Sequence, residues 1–271
     1  MSIEPRGQSY GAHVRANEIR QHYLRFPGAG QALIVVPGIT SPAATWDFVG
    51  ERLGRIFDTY VLDVRGRGLS QGGSDLSYDL DTCASDVEQF ASALGLRDFA
   101  LLGHSMGGRI ALRLAGRGGT AISRLVLADP PLSGPGRRPY GRSLDFYLEA
   151  IRRARAGTLD AEAVRQTYPR WSDAQLRSRA QWLHTCDETA VAASVRGFQE
   201  DDIHVDFARL HLPTLLLAAG SGGVVSDEDA AEVLRLMPSL EIRRLASAGH
   251  MLPFDDLEGF LAIAGEFLKR N

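Results

Sequence analysis

FALLGHSMGGRIAL, residues 99–112, has the pattern of a buried strand, a tight turn and a helix. The apolar residues at its start predict the strand, and Ile110, Leu112 and Leu114 recur at a spacing typical of a helix. Between them lies a Gly-x-Ser-x-Gly motif centred on Ser105. Glycines two positions before and two after the serine allow such a sharp turn, because side chains there would collide with the neighbouring strand and helix. The stretch therefore predicts a serine hydroxyl held at the carboxyl edge of a sheet, beside the free N–H groups of a helix N-terminus.

The composition is that of a globular protein with one large core. The chain has 271 residues, of which 44% are hydrophobic, and it has no low-complexity tract. Its longest apolar runs, such as 32–36 and 215–219, are far too short to cross a bilayer, and the N-terminus lacks a signal-peptide pattern. Because the net charge is −3 and no long basic stretch occurs, nucleic acid is not an expected partner. We expect a soluble, cytoplasmic protein without a membrane partner, and the sequence does not indicate its oligomeric state.

Cysteine usage is sparse. Only Cys83 and Cys186 occur, and two cysteines imply neither a disulfide framework nor a multi-cysteine metal site. We expect both to be buried, inert thiols.

Strand and helix patterns alternate along most of the chain. Strands are predicted at 32–36, 59–62, 99–104, 122–128, 214–218 and 241–245, after an antiparallel hairpin at 13–26. Helices are predicted at 43–53, 79–94, 227–236 and 257–269, and directly after Ser105. This alternation predicts an α/β fold whose central sheet is mostly parallel, with right-handed crossovers and helices on both faces.

The alternation stops between Asp129 and Pro213, where no buried strand is evident. Helical stretches at 143–156 and 172–186 occur there instead. We therefore expect a core made of residues 1–130 and 213–271, with a helical lid at 131–212 inserted after the strand that ends near Asp129.

A serine attacks a carbonyl usefully only if a base removes its proton, and His250 is the expected base. It lies in the loop after the last strand and follows the serine in the chain, as the order of such a fold requires. The other histidines are expected elsewhere: His13 and His22 in the hairpin, His104 with its side chain turned into the scaffold, and His184, His204 and His211 in or beside the lid.

The acid that orients the histidine has two candidate positions. The strand at 214–218 is followed by Gly220-Ser221-Gly222-Gly223, which offers no carboxylate. Asp227 and Asp229 come slightly later, but they resemble the capped first turn of a helix, where acids have an ordinary structural role. Asp129 follows the strand after the serine's helix and is the favoured acid, and the two later aspartates remain the alternative.

Negative charge that develops on a substrate oxygen needs preorganised donors. The expected donors are the backbone N–H groups of Met106 and Ile39. Gly38 allows the loop that carries Ile39 to approach the serine closely.

Three motifs show a resemblance to a known family. Residues 103–107 (GHSMG), 63–68 (DVRGRG) and 248–250 (AGH) resemble the α/β-hydrolase superfamily over nearly the full chain. Residues 36–42, 129–138, 182–186 and 248–251 resemble more narrowly the N-formylmaleamate deformylases, which act in aerobic nicotinate degradation. In this narrower group the acid follows the strand after the serine's helix, and the resemblance therefore also implies Asp129.

The resemblance implies a reaction without a metal or an organic cofactor. Ser105 would attack the formyl carbon of N-formylmaleamate, His250 would protonate the departing nitrogen, and water would release formate. A related family hydrolyses an (acetamidomethylene)succinate from pyridoxine degradation, which gives a second candidate substrate.

A substrate that carries a carboxylate needs a basic group at the site, and residues 131–180 hold ten arginines against five acids. Lys269 is the only lysine of the whole chain, so an arginine carries less information here than usual. Arg138 and its neighbour Arg137 are the first candidates because they lie in a matched motif just after Asp129, and an arginine fork suits a carboxylate. Arg142 and Arg170 are further candidates, and Tyr168 and Trp171 are the expected aromatic contacts.

Fold and motif do not fix the bond that is broken. A carboxylesterase or a C–C bond hydrolase is an alternative enzyme. A small-molecule receptor without turnover is the alternative outside enzymes.

Overall fold

The computed structural model describes residues 7–118 and 121–270, and eight strands form one sheet in that part of the chain. They are β1 (Tyr10–Ala16), β2 (Ile19–Phe26), β3 (Ala32–Val36), β4 (Asp58–Leu62), β5 (Phe99–His104), β6 (Ile122–Ala128), β7 (Thr214–Ala219) and β8 (Glu241–Leu245). Their spatial order is β1-β2-β4-β3-β5-β6-β7-β8. The hairpin β1–β2 and the β2–β4 pair are antiparallel, and all pairs from β4 to β8 are parallel. The mostly parallel sheet predicted from the sequence is confirmed.

Eleven α-helices accompany the strands in the same ranges. They are α1 (Asp47–Leu53), α2 (Leu80–Ala93), α3 (Met106–Gly116), α4 (Leu144–Arg155), α5 (Ala161–Thr167), α6 (Asp173–Trp182), α7 (Glu188–Glu200), α8 (His204–Phe207), α9 (Asp227–Leu236), α10 (Leu252–Asp255) and α11 (Leu257–Lys269). Helices α4 to α8 all lie between β6 and β7 in the chain, where the sequence predicts helices and no strand. None of these helices is both long and apolar enough to span a membrane.

Two predicted helices are shorter than expected because each has a 3₁₀ turn at one end. The predicted helix 43–53 opens with a turn at Ala43–Trp46, in which the backbone N–H and hydroxyl of Thr45 both donate to the Pro42 carbonyl. The predicted helix 172–186 closes with a turn at Leu183–Thr185, in which the Thr185 hydroxyl donates to the Trp182 carbonyl. Such side-chain bonds to nearby carbonyls compete with regular α-helical pairing.

Apolar side chains cover both faces of the sheet. Along β3, Leu33 and Val35 point to the face packed by α1 and α11, and Ile34 and Val36 point to the face packed by α2 and α3. This alternation is the period of two that a strand imposes. Because the parallel strands end at one edge, the loops after β3, β5, β6 and β8 meet there, and that edge carries the candidate site.

Candidate active site

Ser105 occupies the sharp turn between β5 and α3. Its φ of 54° and ψ of −119° are strained for a residue with a side chain. A β-carbon at Gly107 would lie 1.9 Å from the carbonyl oxygen of Val36, and one at Gly103 would lie 2.2 Å from the carbonyl oxygen of Gly107. Both positions therefore require glycine, because neighbouring backbone atoms lie too close for a side chain, as the sequence predicts.

The structure brings Ser105, His250 and Asp129 together. The Nε2 atom of His250 lies 3.0 Å from the Ser105 hydroxyl, and its Nδ1 atom lies 2.7 Å from Oδ2 of Asp129. Ser105 and Asp129 are buried, and the His250 side chain is about one-fifth exposed at 19%. This arrangement can move a proton from the serine to the histidine while the carboxylate stabilises the charged ring.

Asp129 is held as a carboxylate. Burial raises its pKa, but hydrogen bonds from His250 and from the backbone N–H groups of Ala219 and Val224 outweigh burial, so the pKa lies below its usual value. The N–H of Ala219 donates to Oδ1 at 3.2 Å, and that of Val224 donates to Oδ2 at 3.0 Å. The segment after β7, which carries no acid, therefore binds the acid that follows β6.

The alternative acids lie at the start of α9 and have other partners. Asp227 forms an ion pair with Arg244 at 2.6 Å. Asp229 completes a capping box with Ser226 and also pairs with Arg138 at 2.6 Å. The structure does not bring either aspartate to His250.

His104 supports the loop that carries His250. Its Nε2 atom lies 2.8 Å from the His250 carbonyl oxygen, so Nε2 bears the proton and donates it. Burial, together with the neighbouring His250 ring, lowers the pKa of His104 to about 3, and the ring is therefore neutral. The sequence predicts that this ring points into the scaffold, but nothing in the sequence indicates its hydrogen bond to the loop that carries His250.

The two predicted oxyanion donors lie beside the serine. Met106 opens α3, and Ile39 lies in the loop after β3 and lines the cavity next to Ser105. Within the described part of the chain, no backbone carbonyl accepts a hydrogen bond from either N–H group. Neither N–H group therefore has a backbone acceptor in that part of the chain that would compete with a substrate oxygen.

A cavity of about 190 Å³ opens onto Ser105 and His250. Its wall includes the aromatic rings of Phe146, Tyr147 and Tyr168. Trp171 is buried behind Tyr168, with the two rings stacked at 4.1 Å, so it supports the wall without lining it.

Arg137 and Arg138 do not line this cavity, contrary to the sequence-based prediction. Arg138 donates to Asp229 at 2.6 Å and to the Val224 carbonyl at 2.8 Å, and Arg137 pairs with Glu232 at 3.1 Å. Acids that the sequence places far along the chain thus hold both side chains away from the serine. Proximity in sequence to Asp129 identified the right segment but not the direction of the side chains.

Three other arginines line the cavity. Arg142 and Arg170, which the sequence offers as further candidates, lie there together with Arg179. Arg179 donates to the Thr40 hydroxyl at 2.8 Å, and Arg170 donates to the Ser247 carbonyl at 3.0 Å and pairs with Asp255 at 3.2 Å. The guanidinium of Arg142 lies over the ring of Phe146 at 4.4 Å, and among the described residues it has no hydrogen-bonded or ion-paired partner. Sequence reasoning missed Arg179, which lies on a helix with no motif.

Comparison with known proteins adds independent findings. Residues 31–257 match the family model described as the alpha/beta hydrolase fold. N-formylmaleamate deformylase from Pseudomonas putida KT2440 is 54% identical over 258 residues, which cover 95% of this chain and 96% of the relative.

Solved structures agree with this match. A crystal structure of N-formylmaleamic acid deformylase from Pseudomonas putida S16 has a TM-score of 0.90 at 49% identity and covers 94% of this chain and 100% of its own. The structure of E-2-(acetamidomethylene)succinate hydrolase has a TM-score of 0.79 at 23% identity, covering 97% of this chain and 100% of its own, and shows a shared fold.

Proposed function

The chain belongs to the alpha/beta hydrolase family, and we propose that it hydrolyses the C–N bond of N-formylmaleamate to give maleamate and formate. The observation that carries this proposal is 54% identity, over almost the whole of both chains, to an N-formylmaleamate deformylase. The fold and the hydrolase class predicted from the sequence are confirmed.

Ser105, His250 and Asp129 are the proposed catalytic residues. The serine hydroxyl attacks the formyl carbon while Nε2 of His250 takes its proton, and the 3.0 Å contact between these atoms supports that step. The C–N bond then breaks, His250 returns the proton to the departing nitrogen, and maleamate leaves. Water, deprotonated by His250, then attacks the formyl-serine, and His250 returns that proton to the Ser105 oxygen as formate leaves. Asp129 stabilises the charged ring in both halves of the reaction.

Ile39 and Met106 are the proposed oxyanion donors. Their N–H groups are free of backbone acceptors in the described chain, and Ser105 lies directly before Met106. Fixed donors of this kind stabilise the negative oxygen without reorganising during the reaction.

Arg142 is the proposed partner of the substrate carboxylate. Among the three arginines of the cavity, Arg170 already pairs with Asp255 and Arg179 already binds Thr40, whereas Arg142 is held only against the ring of Phe146 in the part of the chain that the structure describes. A guanidinium with its donors free forms two parallel hydrogen bonds to a carboxylate. This assignment replaces Arg138, whose Nη2 donates to Asp229 and to the Val224 carbonyl and which does not line the cavity.

The size of the cavity supports a small substrate. Sites for drug-sized ligands measure roughly 300–1,000 Å³, and this cavity measures about 190 Å³. A short dicarboxylate-derived amide suits that volume, and a long acyl chain does not.

We further propose that residues 131–212 act as a lid on a core formed by residues 1–130 and 213–271. Phe146 and Tyr147 on α4, Thr167 on α5 and Arg179 on α6 all line the cavity, which supports a role of this segment in substrate recognition. A role in nicotinate degradation and a cytoplasmic location are likewise proposed, and no cofactor is required by the reaction.

Turnover assays test the function directly. Purified protein is incubated separately with N-formylmaleamate, 2-(acetamidomethylene)succinate and a neutral aryl ester, and formate, acetate or the phenol is quantified. We expect the highest kcat/KM for N-formylmaleamate, with formate and maleamate formed in equal amounts. Preference for the succinate or the ester would identify one of the alternative hydrolases, and stoichiometric binding without turnover would indicate a receptor.

Ser105→Ala is the matched control for these assays. It removes the nucleophile and takes a single oxygen from the scaffold, so the variant should fold and lose activity by roughly a thousandfold or more. Near-native activity in a verified variant would contradict the serine mechanism.

A further inference from the structure

Arg67 is a buried guanidinium that contacts both residues proposed to form the oxyanion site. It lies in the turn after β4 and is 1% exposed. Its Nε–H donates to the carbonyl oxygen of Ile39 at 3.1 Å, and its Nη2 lies 3.5 Å from the sulfur of Met106. A single side chain thus connects the loop after β3 with the first residue of α3.

Among the described residues, no acid accepts a hydrogen bond from Arg67. Its other acceptors are the carbonyls of Arg65 and Ala190, at 2.9 and 3.0 Å, and the Ser194 hydroxyl at 2.8 Å. Arg65 is different, because it forms a bidentate ion pair with Asp86, with both contacts at 2.6 Å. The charge of Arg67 is therefore available to act on a nearby anion in a region of low dielectric constant.

We infer that Arg67 is a positioning residue for the oxyanion site, and that its charge favours the negative oxygen formed when Ser105 is attached to substrate. The inference rests on the proposed serine mechanism, in which Ile39 and Met106 supply the N–H donors.

The positioning role of Arg67 follows from covalent geometry. The nitrogen and the carbonyl oxygen of Ile39 belong to one residue and are separated only by its α-carbon and carbonyl carbon, so a guanidinium that fixes the oxygen also restricts where the N–H can point. The next carbonyl, that of Thr40, is held by Arg179, so two arginines restrain consecutive peptide groups of this loop. A donor held in place before the reaction is worth more to the transition state than one that must be ordered.

The contacts of Arg67 also connect this site to α7. Ala190 and Ser194 are one turn apart on that helix, the Ser194 hydroxyl donates to the Ala190 carbonyl at 3.0 Å, and its oxygen lies 3.3 Å from the sulfur of Met106. The packing of α7 thereby sets the position of the guanidinium relative to the serine.

Arg109 offers a matched control. It is also 1% exposed, and the acceptors of its hydrogen bonds are likewise neutral, namely the carbonyls of Pro131, Ser133, Gly197 and Asp201. None of these acceptors belongs to Ile39 or Met106. A general cost of losing a buried arginine should therefore be the same at both positions, and an effect on the oxyanion should occur only at Arg67.

The experiment compares Arg67→Met, Arg67→Lys and Arg109→Met by circular dichroism, by kinetics on p-nitrophenyl acetate and N-formylmaleamate, and by inhibition. One inhibitor is a small trifluoromethyl ketone, which forms an anionic tetrahedral adduct with the serine. The other is maleamate, which binds without forming an adduct. The ester keeps the test independent of the natural substrate, because a wild type that cleaves the ester but not N-formylmaleamate would contradict only the proposed substrate.

For Arg67→Met we expect kcat to fall by about 10- to 100-fold, less than the loss of a direct oxyanion donor, with KM changed by less than about threefold. The inhibition constant of the ketone should rise by the same factor as kcat falls, and that of maleamate should stay constant. Arg67→Lys keeps the positive charge but loses the planar guanidinium with its several donors. Its kcat and its ketone inhibition constant should therefore lie between those of wild type and Arg67→Met.

Arg109→Met should lose thermal stability while its kcat and its ketone inhibition stay within about threefold of wild type. A folded Arg67→Met or Arg67→Lys protein with wild-type kcat and wild-type ketone affinity would overturn the inference. Equal losses at Arg67 and Arg109 would overturn it as well. If Arg67→Met does not fold, the ketone affinity of Arg67→Lys alone tests the inference. A weaker affinity than wild type supports it, and an unchanged affinity overturns it.

Discussion

The Oδ2 atom of Asp129 lies 2.7 Å from Nδ1 of His250, across 121 positions of the chain. Asp129 has a φ of 45°, a conformation that costs energy in a residue other than glycine. From the end of β6 the carboxylate reaches the loop after β8, and the N–H groups of Ala219 and Val224 donate to it there. The proposed acid is thus positioned by backbone from the end of β7, a strand that contributes no carboxylate of its own.

Asp129→Asn should reduce kcat severely. An amide cannot stabilise the charged ring and favours the wrong tautomer, a defect on the order of ten-thousandfold in a well-studied serine protease. Asp227→Asn is the matched control, because Asp227 is exposed and pairs with Arg244. Steady-state kinetics of both variants check this, and a larger loss in Asp227→Asn would move the acid to the start of α9.

Gly223→Ala should lower kcat by disturbing the carboxylate. A β-carbon there would lie 3.0 Å from both carboxylate oxygens of Asp129 and 2.6 Å from the β-carbon of Ala219, so the segment would have to move. Gly265→Ala on α11 meets nothing within 4 Å and should stabilise the helix by about 0.5–1 kcal/mol without affecting turnover. Kinetics and thermal melts of the two variants separate the effects, and unchanged kcat in Gly223→Ala would show that the carboxylate tolerates the shift.

His104 should make the folded state sensitive to acid. Its pKa is about 3 in the folded protein against an ordinary value of 6.5, so between these pH values the unfolded chain binds a proton that the folded chain does not. Stability therefore falls as the pH drops through this window, by up to about 1.4 kcal/mol per pH unit for this group. In His104→Gln the free energy of unfolding should depend less steeply on pH, by the contribution of about one proton. Urea unfolding at several pH values measures this dependence. Identical slopes in the two proteins would show that His104 is not the group that titrates.

The sequence predicts well what local geometry demands. The turn at Ser105 needs its flanking glycines, and the apolar strand and amphipathic helix around it leave little freedom, so the position of the serine follows from the short stretch 99–112. His250 follows from chain order at the same sheet edge. The two side chains lie in contact in the structure at 3.0 Å.

The direction of long side chains is not encoded so locally. The direction of the Arg138 side chain depends on Asp229, which lies 91 positions later in the chain. Arg142 follows Arg138 closely in sequence, yet its guanidinium lies over the ring of Phe146 and lines the cavity. The sequence could therefore place the basic segment near the site but could not choose among its arginines.

Arg142→Ala should impair recognition of the substrate carboxylate. Arg142 is exposed before substrate binds, so its pair with the carboxylate is only partly desolvated. A hydrogen bond to a charged group contributes about 1.5–3 kcal/mol, so kcat/KM for N-formylmaleamate should fall by at least about tenfold. Hydrolysis of a neutral aryl ester should change little, because the ester has no charge to pair. Arg138→Ala is the matched control, since that half-exposed side chain pairs with Asp229 outside the cavity and should affect neither substrate. Equal activity of Arg142→Ala and wild type on N-formylmaleamate would reject Arg142, and a loss on both substrates would indicate a misfolded lid instead of lost recognition.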